Sequence, residues 1–99
     1  MRYLINEPHD LKIKEMAVCD RPRERMVAKG VESLTDQELF AILIGSGTKG
    51  RGVTAIARDL MELLDSKAQV SHAELLQISG LGTAKATLIG AALELGRRR

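Results

Sequence analysis

Aromatic side chains are almost missing from this 99-residue chain, which has Tyr3, Phe40 and no tryptophan. Modules that hold single-stranded nucleic acid stack successive bases on aromatic faces, and two aromatic residues exclude a platform of that kind. The core must come from Leu, Ile, Val, Met and Ala. Cysteine is nearly absent too: Cys19 stands alone, so no internal disulfide can form, which fits a reducing cytoplasm. The two histidines, His9 and His72, show no pairing pattern with it, and Cys19 is read as inert. No apolar run reaches membrane-spanning or signal-peptide length, because Ala41–Ile44 is flanked by Glu38 and Gly45. Nor does one sign of charge dominate: 15 basic and 13 acidic residues leave a net charge of +2. Residues 1–50 carry eight of each sign, and residues 51–99 carry seven basic against five acidic. That balance permits an anionic partner without demanding one.

What is present reads as one helical domain of ordinary size, large enough to bury roughly two thirds of its unfolded surface. The first nineteen residues show no sustained helical period and are broken by Pro8. They are expected to form an extended, partly disordered arm, with Leu11–Lys14 laid on the domain and residues 1–10 fraying. The domain proper spans 20–99. Asp20 is expected to cap the first helix, Pro22 fits its first turn, and Gly30 ends it. Two later helices start with the same device. Thr35 and Glu38 form a capping box stapled by Leu34 and Leu39, and Ser71 and Glu74 form another stapled by Val70 and Leu75. His72, in the first turn after Ser71, is read as a solvated surface residue. Between the boxes, Val53, Ile56, Ala57, Leu60, Met61 and Leu64 recur at helical spacing. A last helix, from about Thr83 to Gly96, is apolar around most of its circumference and is expected to be central, packed on several sides. The fold expectation is an all-α bundle of about five short helices. Its expected core is Leu39, Ile42, Leu43, Ile56, Leu60, Leu75, Ile78, Leu81, Ile89 and Leu93.

The stretch Ile78-Ser79-Gly80-Leu81-Gly82-Thr83-Ala84-Lys85-Ala86 carries the functional signal. Gly80 offers a positive φ for a sharp turn, Leu81 can point inward, and Gly82 leaves the backbone open to an approaching group. With Thr83 as N-cap, the amides of residues 82–85 lie at a helix N-terminus, where the helix dipole favours an anion, and Lys85 adds a full charge. Two readings stand for this pattern: a phosphate clamp, or a tight turn between packed helices. Gly45-Ser46-Gly47-Thr48-Lys49, thirty-five residues earlier, looks like a degenerate copy. Ile56 and Leu60 match Ile89 and Leu93 at an offset of thirty-three, Ser46 replaces the apolar anchor, and Lys49 and Arg51 keep the copy basic.

The apolar–x–Gly-apolar-Gly–x₃–Ala pattern resembles the helix-hairpin-helix motif of DNA-binding proteins, whose hairpin amides grip a phosphate without reading sequence, sometimes with a monovalent cation. The wider order resembles the amino-terminal region of the RadC-like family. The resemblance rests on Asp20-Arg21-Pro22-Arg23-Glu24, Leu34–Leu39, Ile44–Gly50, the 78–86 hairpin and Ala92–Arg97. It implies a link to DNA repair and a downstream JAB/MPN-type domain with a zinc-binding histidine and aspartate constellation. This chain reaches Arg97-Arg98-Arg99 where that domain would begin and has no His-x-His pair, so it is read as holding the first domain only, without metal or cofactor.

The leading expectation is therefore a module that holds duplex or branched DNA by its backbone, without sequence preference. Phosphate contacts are assigned to Gly80, Gly82, Thr83 and Lys85, with support from Lys49 and Arg51. A helix-turn-helix reader of base edges is not expected, since Ala86–Leu95 offers only Thr87 and Glu94 as polar groups. The alternative is a helical scaffold that docks the missing carboxy-terminal domain or a partner protein, with a purely structural hairpin. No nucleophile–base pair or metal constellation supports an enzyme in these residues, and no membrane role is expected.

Overall fold

The computed structural model of the protein describes residues 21–48 and 50–99. The arm of residues 1–19, the Asp20 cap and Lys49 lie outside the described residues. The rest is all-helical: α1 (Pro22–Lys29), a 3₁₀ turn (Val31–Ser33), α2 (Asp36–Ile44), α3 (Val53–Ser66), α4 (His72–Leu76) and α5 (Thr83–Arg98). Among the described residues the sole β pairing is one isolated bridge, Thr48 with Arg51.

Local chemistry sets the boundaries. Arg21, one residue after the expected Asp20, occupies the N-cap of α1 without a side-chain cap, Pro22 stands in the first turn, and Gly30 ends the helix at φ 90°. Both capping boxes form. The Glu38 amide donates to Thr35 Oγ1 at 3.2 Å while the Thr35 amide donates to Glu38 Oε1 at 2.9 Å. The Glu74 and Ser71 amides make the reciprocal pair at 3.1 and 2.8 Å. Glu38 also pairs with Arg25, tying α1 to the start of α2, and Gln37 Nε2 donates to the Thr54 carbonyl at 3.1 Å, tying α2 to α3.

The core is aliphatic. Ile56, Leu60, Leu75 and Ile89 are fully buried, and Leu81, Ala41, Ile44, Val53, Ala57 and Ala86 complete the cluster. Leu43, Ile78 and Leu93 pack against it half-buried. Leu39 and Ile42, expected inside, are not members; Ala41 and Ile44 take their place. Residues 39–44 are apolar at every position, so periodicity could not choose a face. The most extensive helix packing is α2 on α3, and Ala41 and Ile44 are the residues of α2 that it leaves buried.

A second correction concerns α5. It was expected to be surrounded, yet only Ala86 and Ile89 are buried along its sixteen residues. Leu88 and Leu95 are 48% and 60% exposed, and Ala84 and Ala91 share their outward face. Its main neighbours are α2 and α4. Five short helices supply too few partners to enclose it.

Candidate phosphate-binding hairpin

The α4–α5 connection is built around Leu81, which is 3% exposed and whose amide donates to the Ile78 carbonyl at 3.0 Å. The two glycines beside it do different work. Gly80 has φ +93°, and a Cβ placed there would lie 2.7 Å from Ile56 Cδ1 and 3.3 Å from Thr48 Oγ1. It is therefore a conformational and packing glycine, pressed on α3 and the first loop. Gly82 has φ −77° and ψ 177°, backbone open to any residue, and no atom lies within 4 Å of the position a Cβ would take. The space beside it is free.

Gly82, not Thr83, is the N-cap of α5; Thr83 is the first helical residue and offers no side-chain cap. The Thr83 carbonyl accepts from Thr87 Oγ1 at 2.9 Å. The Ala86 amide returns to the Gly82 carbonyl at 2.9 Å. The amides of Gly82, Thr83, Ala84 and Lys85 have no acceptor among the described residues, as the start of an uncapped helix requires. Gly82, Thr83 and Ala84 are exposed. Four donors thus gather at the positive end of a sixteen-residue helix whose first residues are exposed, an arrangement that favours an anion.

The expected cations are near but already engaged. Lys85 Nζ donates to the Ser46 carbonyl and lies 3.4 Å from Ser46 Oγ, so it bridges the second hairpin to the first. Arg51 donates to the Ser79 carbonyl at 3.3 Å and the Ala55 carbonyl at 3.4 Å, and pairs with Asp59. It supports the turn from below. The sequence marks Ser46 only as the residue in place of the apolar anchor, and it does not mark Ser79 or Asp59; no local pattern reveals contacts made across twenty-eight or thirty-nine positions.

The degenerate copy shares the first half of the geometry and loses the second. Gly45 has φ +82°, matching Gly80. At Gly47, however, a Cβ would meet the Arg51 carbonyl oxygen at 2.3 Å and Gly52 at 3.0 Å. The 48–51 turn, closed by hydrogen bonds of 2.9 and 3.0 Å between Thr48 and Arg51, folds back over Gly47. The face that Gly82 keeps open is covered there by the loop itself.

One open depression adjoins this region. About 210 Å³ in volume, it is lined by Arg21, Pro22, Arg23, Glu24, Ala41, Ile42 and Gly45. A Cβ on Gly45 would lie 3.7 Å from an Arg23 guanidinium nitrogen. Among the described residues, no group of three or more His, Cys, Asp or Glu could hold a metal ion, and no helix is long and apolar enough to cross a membrane.

No solved structure matches the chain. Curated relatives do. A UPF0758 protein of Flavobacterium johnsoniae is 43% identical over 90 residues, covering 88% of this chain and 39% of the relative. Those of Bacillus licheniformis and Clostridioides difficile are 45% and 44% identical over 91 and 93 residues, each covering 89% of this chain. The chain spans about two fifths of the length of these relatives, 39–41%. The model of the UPF0758 N-terminal family matches residues 13–87, which include α1 to α4, the two glycine loops and the first turn of α5, and the chain belongs to that family.

Proposed function

We propose that this domain holds the backbone of duplex or branched DNA without reading sequence, in a RadC-like protein linked to DNA repair. The observation that supports this most is the open start of α5: four unpaired amides, an uncovered Gly82 and Lys85 within one turn. In this reading the connection is a helix-hairpin-helix. Gly80 and Leu81 shape the turn, and the amides of Gly82, Thr83, Ala84 and Lys85 receive a phosphate oxygen. Lys85 turns from the Ser46 carbonyl toward the phosphate, and Arg51 fixes the turn and adds charge; Lys49 extends the basic margin. The chain acts as a binding module, with no catalytic group, metal or cofactor of its own. With two to four phosphates engaged, the log–log salt slope is about −2 to −3.5, and affinity near physiological salt is about 10⁻⁴–10⁻⁶ M. A salt titration of fluorescently labelled duplex, repeated with Lys85→Glu, tests this. Folded Lys85→Glu protein that binds as well as the parent, or a parent without salt-dependent binding, would refute it.

A second reading is favoured by a different feature, the exposed Leu88 and Leu95 on the outward face of α5. Here α5 is a scaffold that docks the additional chain carried by the longer relatives. Leu88→Glu would then weaken association with the carboxy-terminal portion of such a relative and leave duplex binding unchanged. Equal association by Leu88→Glu and the parent would end that reading.

A further inference from the structure

Resting on the backbone-binding reading, we propose that the depression between the start of α1 and the end of α2 is a second phosphate seat, with Arg23 as its cation. Three observations converge there. Arg23 is exposed and has no hydrogen-bond or ion-pair partner among the described residues, unlike Lys85 and Arg51. Its guanidinium lies over Gly45, whose φ of +82° and missing side chain keep the depression open on that side. Gly45 directly precedes Ser46, whose carbonyl accepts from Lys85.

Arg23 and Lys85 therefore approach neighbouring residues of the same loop, Gly45 and Ser46. Adjacent Cα atoms are about 3.8 Å apart, so both contacts fall on one short stretch of loop, and in this proposal the two cations take phosphates of one backbone. The planar guanidinium offers two parallel donors to phosphate oxygens. The floor formed by Pro22, Ala41 and Ile42 excludes water from one side of that contact. Glu24 is the opposing element: it lines the same depression, has no cationic partner among the described residues, and its negative charge repels the incoming anion. The degenerate first hairpin, closed over Gly47, thus contributes through the residue that covers Gly45 instead of through its amides.

The test is anisotropy of labelled duplex across a salt series, with the whole chain and the variants Arg23→Gln, Arg23→Lys, Glu24→Gln and Gly82→Asp, each checked for helicity by circular dichroism. One lost phosphate contact removes about 0.9 from the magnitude of the slope, which at 0.15 M salt is about fivefold in affinity. Arg23→Gln should show both changes, Arg23→Lys should restore the slope, and Glu24→Gln should bind more tightly than the parent. Suppose Arg23→Gln and Glu24→Gln match the parent while Gly82→Asp fails to bind. The second seat is then wrong and the hairpin reading stands. Loss of the effect of Gly82→Asp, or no salt-dependent binding by the parent, removes both.

Discussion

Gly80 and Gly82 are two residues apart and should respond oppositely to substitution, on stability and on binding. At Gly80, an alanine would sit in left-handed backbone, φ +93°, at a cost of about 1–2 kcal/mol. Its Cβ would also press on Ile56 Cδ1 at 2.7 Å. Ile56 is fully buried and cannot swing aside into solvent, so overpacking adds about 1–3 kcal/mol. Gly80→Ala should therefore lose about 2–5 kcal/mol, a large share of the stability of a small domain, which is about 5–15 kcal/mol. At Gly82 neither term exists. Aspartate is a better N-cap than glycine by a few tenths of a kcal/mol, and its charge gains about 0.3–1 kcal/mol from the helix dipole. Gly82→Asp should thus unfold at equal or higher urea, while its carboxylate occupies the anion's place and reduces duplex affinity at least tenfold. Urea denaturation followed by circular dichroism and duplex anisotropy measure the two effects. An unchanged midpoint for Gly80→Ala, or a loss above about 1 kcal/mol for Gly82→Asp, would refute the division of labour between the glycines.

Leu81→Ala empties an anchor that is 3% exposed and should cost about 2–4 kcal/mol; an unaltered denaturation midpoint would contradict the inward placement. Arg51→Ala leaves the Ser79 carbonyl and Asp59 unmatched and should cost about 1 kcal/mol, while changing the salt slope by less than one phosphate's share of about 0.9. Glu74 is held at a pKa of about 2, down from 4.5, first by the hydrogen bond from Lys67 and then by the Ser71 amide. Because the folded value is depressed, the stabilisation is complete above about pH 4.5 and is lost as pH falls toward about 2. Lys67→Gln should move the Glu74 midpoint upward in a carboxyl-carbon NMR titration, and an unmoved midpoint would show that Lys67 is not the cause. Glu94, lowered to about 2 by Arg97 and Arg98, should titrate in the same direction and rise in Arg97→Gln.

Local chemistry was legible in the sequence, and long-range selection was not. The capping boxes at Thr35 and Ser71, the Gly30 terminus, Pro22 in a first turn and the inward Leu81 all depend on residues within five positions of one another. The structure has each of them. The buried faces of α3 and α5 also keep the thirty-three-residue offset, with Val53, Ile56 and Leu60 answering to Ala86, Ile89 and Leu93. What failed required knowledge of neighbours. An all-apolar α2 cannot declare which face meets α3, and an apolar α5 cannot declare how many helices will cover it. The N-cap of α5 was misplaced by one residue because Thr83 is the better capping side chain and Gly82 the better fit to an uncapped, open turn. In the candidate site, Gly82 and Thr83 lie at the exposed start of α5, Gly80 packs on Ile56, and Lys85 reaches Ser46. That Lys85 and Arg51 spend their donors on Ser46, Ser79 and Asp59 depends on how the two loops meet, which spacing does not encode.

The same offset explains why two similar glycine loops have different surfaces. With Val53 in register with Ala86, α5 begins three residues earlier than α3 relative to the shared core face. That additional turn, Thr83-Ala84-Lys85, projects past the core, so its amides meet open space. In the first copy the corresponding residues, Gly50, Arg51 and Gly52, are not helical; Gly50 has φ +85° and Arg51 closes the bridge to Thr48. Those three residues turn back over Gly47 rather than continuing the helix. The loop thereby satisfies its own hydrogen bonds and fills with the Arg51 carbonyl the side of Gly47 that corresponds to the open side of Gly82. With that side filled, the first loop has no open helix start comparable to that of α5. One open glycine loop, buttressed by a closed one through Lys85–Ser46 and Arg51–Ser79, is the arrangement this chain's register imposes.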